Sequence, residues 1–213
     1  MMSDWLVPRL DDFRALHPAV RLRLSGTGDL HGALPDDIDI AAMRAPDEWG
    51  DLHGVPLFHG MFTPVCAPSL LEAEPKLRQP RDLHNHTLFF SKPHIDIWNQ
   101  WCGLAGIDAI DTGVGMMFES SSSACQAARG GGGVSMAQIS FVLEDIKAGR
   151  LVAPFDLAVR SKRPYCLVCR GSRKDEPEVA AFLEWMSAEA KRTEDEVRQV
   201  FGARFSTCSP ETE

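Results

Sequence analysis

The stretch from Val114 to Gln138 constrains this chain most, because its hydrophobic period changes twice. Val114, Met116 and Phe118 alternate with Gly113, Gly115 and Met117, the period of two that a pleated strand requires. Ser120 to Ser123 follow, and a serine ahead of an apolar-periodic run caps a helix by accepting from the free N–H groups of its first turn. A helix is therefore expected from near Ser120 to Arg129. Gly130 to Gly133 end it, and Val134-Ser135-Met136 resumes an extended run. In a strand-helix-strand unit the serine end carries partial positive charge and free donors, so it can receive a carboxylate or similar anion. Two readings stay open at Ser120 to Ser123: a ligand site, or a cap in a solvated loop.

The glycines argue against a nucleotide loop. Such loops run strand, glycines, helix, whereas here the order is helix, glycines, strand. With 213 residues, 44% apolar and 24% charged, the chain can bury a core in one or two domains. A net charge of −8 disfavours it as a nucleic-acid surface by itself, since phosphate contacts need clustered Lys and Arg. Met1 to Arg9 has no basic region followed by an apolar core, and no run approaches a membrane span, so the expected location is cytoplasmic.

Cys66, Cys102, Cys125, Cys166, Cys169 and Cys208 are scattered through apolar elements and read as reduced core thiols. Cys166 and Cys169 have redox spacing, but on a strand residues three apart face opposite sides. No histidine lies at ligand spacing from them, so neither metal nor cofactor is expected; His84-Asn85-His86 reads as a loop.

In chain order, a helix is expected from Asp4 to Leu16, with Leu6, Leu10, Phe13 and Leu16 on one face and His17-Pro18 as its stop. Val20-Arg21-Leu22-Arg23-Leu24 alternates as a half-buried strand would. A small-residue turn from Ser25 to Gly28 leads to a short helix, and Ile38 to Met43 forms a strand ending at Arg44. Val55 to Leu57, Met61 to Cys66 and Leu88 to Ser91 read as extended, Pro68 opens a helix, and Ile97 to Gly106 is a helix whose Trp98 and Trp101 belong to the core. A further helix runs from Phe141 to Ala148. Tyr165 to Cys169 is the last strand, Pro177 opens a long helix stopped by Gly202, and Ser206 to Glu213 is expected to be disordered.

This alternation predicts an α/β fold with largely parallel sheets, arranged as two lobes around a cleft. Ligands of such sheets bind beyond the carboxyl ends of the strands. The residues there are Ser25 to Thr27, Met43 and Arg44, Ser91, Phe118 to Ser121, and Met136 to Gln138. No nucleophile elbow, Ser-His-Asp arrangement or metal cluster is legible, and an enzyme is not expected.

These residues also carry a resemblance. Trp5-Leu6-Val7-Pro8-Arg9-Leu10 with Phe13 and His17-Pro18, Asp37-Ile38-Asp39-Ile40 to Arg44, Pro64 to Leu71, Trp98 with Trp101, Phe118-Glu119-Ser120-Ser121, Gln126-Ala127-Ala128 with Gly133, Glu144-Asp145 with Gly149 to Phe155, and Val179 to Trp185 stand in a characteristic order. Over residues 5–190 the chain resembles the effector-binding domain of LysR-type transcriptional regulators, in the branch of the glycine-cleavage activator and the β-lactamase regulator. The resemblance implies two Rossmann-like lobes of the periplasmic-binding-protein type II kind joined by two crossover strands. Residues 1–62 and 163–213 would form the first lobe and 63–162 the second. It implies a small carboxylate or amino-acid-like effector in the cleft, a homodimer or homotetramer, and contact with DNA only through an N-terminal helix-turn-helix domain.

By position it assigns effector contacts to Thr27 and Arg44 in the first lobe and to Phe118, Ser120 and Ser121 in the second; Gln138 joins them from the carboxyl-end argument. A free-standing solute-binding protein is the alternative of similar fold. The family's helix-turn-helix, linker helix and first strand have no counterpart in these 213 residues. The expectation is a fragment, a truncated reading frame or a displaced start, with a first lobe weakened by one unpaired strand neighbour.

Overall fold

The computed structural model of the chain describes residues 2–26, 34–202 and 206–208. Helix α1 (Met2–Leu6) passes through a 3-10 turn at Val7–Arg9, where Pro8 interrupts regular helix, into α2 (Leu10–Leu16). Strands β1 (Ile40–Arg44), β2 (Leu52–Phe58) and β3 (Met61–Val65) follow, then α3 (Pro68–Glu72), β4 (Leu88–Ser91), α4 (Ile95–Ala105) and β5 (Met116–Phe118). The chain continues through α5 (Ser121–Arg129), β6 (Val134–Gln138), α6 (Ile139–Lys147), β7 (Leu157–Arg160), β8 (Tyr165–Arg170), α7 (Pro177–Phe201) and β9 (Ser206–Cys208).

Two sheets result, a three-stranded one in the order β1-β8-β2 and a six-stranded one in the order β5-β4-β6-β3-β7-β9. They are mixed rather than largely parallel. β8 enters from the other lobe and inserts antiparallel between β1 and β2, while β4 runs parallel to both β5 and β6. The lobes exchange chain at residues 59–60 and 161–164. These crossings run side by side, Ser161 N–H donating to the Gly60 carbonyl at 2.8 Å.

Strand periodicity explains the second lobe's core. From β4 and β6, Leu88, Phe90, Val134 and Met136 face Trp98 and Trp101 of α4, whereas Phe89 and Ala137 face Ala124 and Ala128 of α5. The glycine run serves this packing. Gly131 adopts φ +82°, and a Cβ on Gly133 would stand 2.2 Å from the Thr87 carbonyl oxygen, so β6 can close against β4 only without a side chain there.

In the first lobe, Trp5, Phe13, Phe58, Leu167, Phe182 and Met186 form the core. Trp5 packs edge-on against Phe58 with ring centres 5.0 Å apart and donates its indole N–H to Thr193 at 2.9 Å. Helix α7 serves both lobes: Val179 to Ala190 pack in the first core, and Val197 and Phe201 pack against Ile139 and Leu143 of α6. β9 then pairs parallel to β7 in the six-stranded sheet, so residues 206–208, expected disordered and in the first lobe, form a strand of the second sheet.

Other expectations are also corrected. Residues 20–24 lie without strand pairing, and Leu24 is exposed, because an alternating segment becomes a strand only beside a partner edge. Leu16 is exposed at the end of α2 rather than in the core. Val114 is 82% exposed, and only Met116–Phe118 of the expected strand pairs, at the sheet edge. His84 and Asn85 belong to a 3-10 turn, Pro80–Asn85. Cys66, Cys102, Cys125, Cys166 and Cys169 are buried, as core thiols would be, and burial raises their pKa values, that of Cys66 to about 12.

Candidate effector site

Ser120 adopts extended backbone and its hydroxyl accepts from the Ser123 N–H at 3.2 Å, which fixes the start of α5. Ser121 is the first helical residue and is buried. Beside it runs β4, whose last residue, Ser91, is also buried; the next turn, Lys92–His94, delivers His94 at the start of α4. Ser91 Oγ lies 3.0 Å from Ser121 Oγ, which lies 2.5 Å from His94 Nδ1. The imidazole packs on Phe62 of β3, ring centres 4.8 Å apart. Phe62 stands opposite Gln138 in the β3–β6 register.

His94, Ser120 and Ser121 line one end of a groove of about 1160 Å³ between the lobes. Residues 20–24 and Ile40 to Ala42 of β1, an edge strand, also line it, together with charged Asp37, Arg173 and Glu176. Leu167, Phe182 and Met186 give it an apolar floor.

Charges of both signs stand at the serine end, where Glu119 lines the groove beside Ser120 and pairs with Lys92 at 2.7 Å. Burial first, and then the cation of Arg44 at the end of β1, lower the His94 pKa to about 3, so its ring is neutral throughout the physiological range. The helix end adds its own partial charge. It already holds one internal carboxylate: Ser122 Oγ donates to Asp4 of α1 at 2.5 Å.

Of the residues singled out from sequence, Ser120 and Ser121 meet at the groove, and Arg44 stands near enough to act on His94. Gln138 is fully buried behind Phe62, and neither its amide nitrogen nor its oxygen has a hydrogen-bond partner among the described residues. Phe118 instead packs edge-on against Phe89 at 5.6 Å, half-buried against the α5 side of the core. Thr27 lies outside the described residues. Sequence reasoning missed His94. The available signal was its place three residues beyond Ser91, past the carboxyl end of β4.

The LysR substrate binding domain family matches residues 1–191. The chain belongs to that family. It is 34% identical over 194 residues to the glycine cleavage system transcriptional activator of Escherichia coli K12, covering 91% of this chain and 63% of that protein. It is 31% identical over 186 residues to the transcriptional activator AmpR of Rhodobacter capsulatus, covering 87% of this chain and 62% of that one. This LysR domain thus spans just under two thirds of the length of these relatives. Its fold superposes on the effector domain of the regulator AmpR of Pseudomonas aeruginosa with a TM-score of 0.76 and 28% identity, covering 92% and 94% of the two chains. These relatives are transcriptional regulators and the structural neighbour is an effector domain; the chain itself is a LysR substrate binding domain with the two-lobed periplasmic-binding-protein type II architecture. Among the described residues, no helix is long and apolar enough to cross a membrane.

Proposed function

We propose that this domain senses a small anionic or zwitterionic effector, a carboxylate or amino-acid-like molecule, held between the lobes. The observation that carries the reading is that the α5 N-terminus and His94 line one interlobe groove while the Arg44 cation stands near enough to act on His94; the rest of the lining mixes apolar Leu167, Phe182 and Met186 with charged Arg21, Asp37 and Arg173. Arg44, Ser120 and Ser121 bind the anionic group, Gln138 supports the site from behind Phe62, and Thr27 and Phe118 complete the proposed set. Residues 1–60 with 163–202 act as the first lobe and 61–162 with β9 as the second, turning about the paired crossings. Effector affinity that differs between two lobe arrangements shifts a homodimer or homotetramer on DNA, which is contacted in the cytoplasm through a helix-turn-helix outside these 213 residues.

The test is calorimetric titration of small carboxylates and amino acids into the chain and into Arg44→Ala and Ser121→Ala. At least one compound should bind, and each substitution should weaken it by about tenfold or more, the scale of one charge-assisted hydrogen bond. Unchanged affinity in both variants would place the site elsewhere.

A further inference from the structure

The hydroxyl protons of the Ser91–Ser121–His94 chain can be ordered in two ways. In one, Ser91 donates to Ser121, Ser121 donates to His94 Nδ1, and the ring carries its proton on Nε2. In the other, Nδ1–H donates to Ser121 and Ser121 donates to Ser91. The Ser91 hydroxyl proton, on a residue 3% exposed, then has no acceptor among the described residues. Each ordering leaves one buried donor unpaired, Nε2–H in the first and the Ser91 hydroxyl in the second, but the second also strands bare Nε2 as an unpaired acceptor, so the first ordering prevails. It leaves Nε2–H as the remaining donor of the ring, and that buried atom has no partner among the described residues. His94 also lines the groove beside Ser120 and Ser121.

We infer that His94 is a specificity-determining residue of the effector site, its neutral Nε2–H donating to an oxygen of the effector's carboxylate. Building on the proposed effector site, this inference orients the ligand. The oxyanion end lies at His94 and the start of α5, and an ammonium group is rejected there, since it would meet an N–H donor, a helix N-terminus and the Arg44 cation, while the Glu119 carboxylate that lines the groove beside Ser120 is already engaged by Lys92 at 2.7 Å. Protonated imidazole is not required, because Arg44 and the helix end supply the positive potential.

The test uses the whole 213-residue chain with ¹⁵N-labelled histidine and acetate as the probe, methylammonium as its counterpart. Long-range ¹H–¹⁵N spectra should show His94 as the Nε2–H tautomer, assigned by its loss in His94→Gln. Acetate should shift that nitrogen and methylammonium should leave it unmoved. His94→Phe should weaken acetate binding about tenfold, and His94→Gln, whose amide N–H reaches the Nε2 position, should recover most of it. An Nδ1–H tautomer, an unmoved nitrogen, or equal acetate affinity in His94→Phe would overturn the assignment. If Arg44→Ala weakens acetate binding while His94→Phe does not, the inference fails and the proposed site stands. If acetate binds but neither Arg44→Ala nor Ser121→Ala changes its affinity, the proposed site fails too.

Discussion

Ser122 of α5 donates its hydroxyl to the carboxylate of Asp4 in α1 at 2.5 Å, joining the first helix to the first turn of the helix that carries the proposed anion site. Asp4 therefore neutralises part of the charge that an effector would use.

Replacing Asp4 with Asn should raise acetate affinity severalfold, the effect of removing a competing charge worth about 0.3–1 kcal/mol at an exposed helix end. The gain should shrink as ionic strength rises, because Asp4 is solvent-exposed. Titrations at low and high salt read both effects, and weaker acetate binding by the Asp4→Asn protein would show that Asp4 helps rather than competes.

His94 gives the fold a sign of pH dependence. Its pKa falls from 6.5 to about 3 because burial, then Arg44, then the N-terminal ammonium oppose its cation; Ser91, Ser121 and Phe62 against it are uncharged. Above pH 6.5 both folded and unfolded chains hold it neutral. Below that, only the unfolded chain takes up the proton, so stability declines towards pH 3, by about 2 kcal/mol near pH 5. Urea unfolding of the parent and of His94→Phe should show this decline reduced in the variant, and parallel pH profiles would contradict the buried neutral state.

Ser120→Ala should cost about 1 kcal/mol by removing the acceptor for the Ser123 N–H, and Ser120→Asn should cost less because it keeps a capping oxygen. Gly133→Ala should cost more than the cap, about 1–3 kcal/mol, since its Cβ would drive the Thr87 carbonyl out of the β4–β6 junction. Chemical denaturation midpoints rank the three variants. A Gly133→Ala protein as stable as the parent would mean that the junction yields freely.

What the sequence disclosed depended on whether the cause was local. The start of α5 at Ser120, the core placement of Trp98 and Trp101, and the Gly202 stop are set by neighbours within a few residues, and all were legible. The antiparallel entry of β8 between β1 and β2 was not, because Tyr165 meets Arg44 and Phe58 only after the chain has passed through the other lobe. His94 was hidden for the same reason. Its partner Ser121 is 27 residues away, and its neutrality comes from burial that no local pattern records.

The alternating segment 20–24 yields the last prediction. It lines the same groove as Ile40 to Ala42 of β1, an edge strand of its sheet, and as the apolar Leu167, Phe182 and Met186. Backbone groups along such an edge are solvated rather than laddered, and a strand placed between the two segments would pair both and cover the floor. Fusing a strand-forming segment ahead of Met1 should therefore raise the melting temperature. It should also slow amide exchange in residues 20–24 and on the open edge of β1, while leaving the β4 and β6 amides unchanged. Equal melting of the two forms, with exchange at residues 20–24 unaltered, would show that the groove takes no strand from the fused segment.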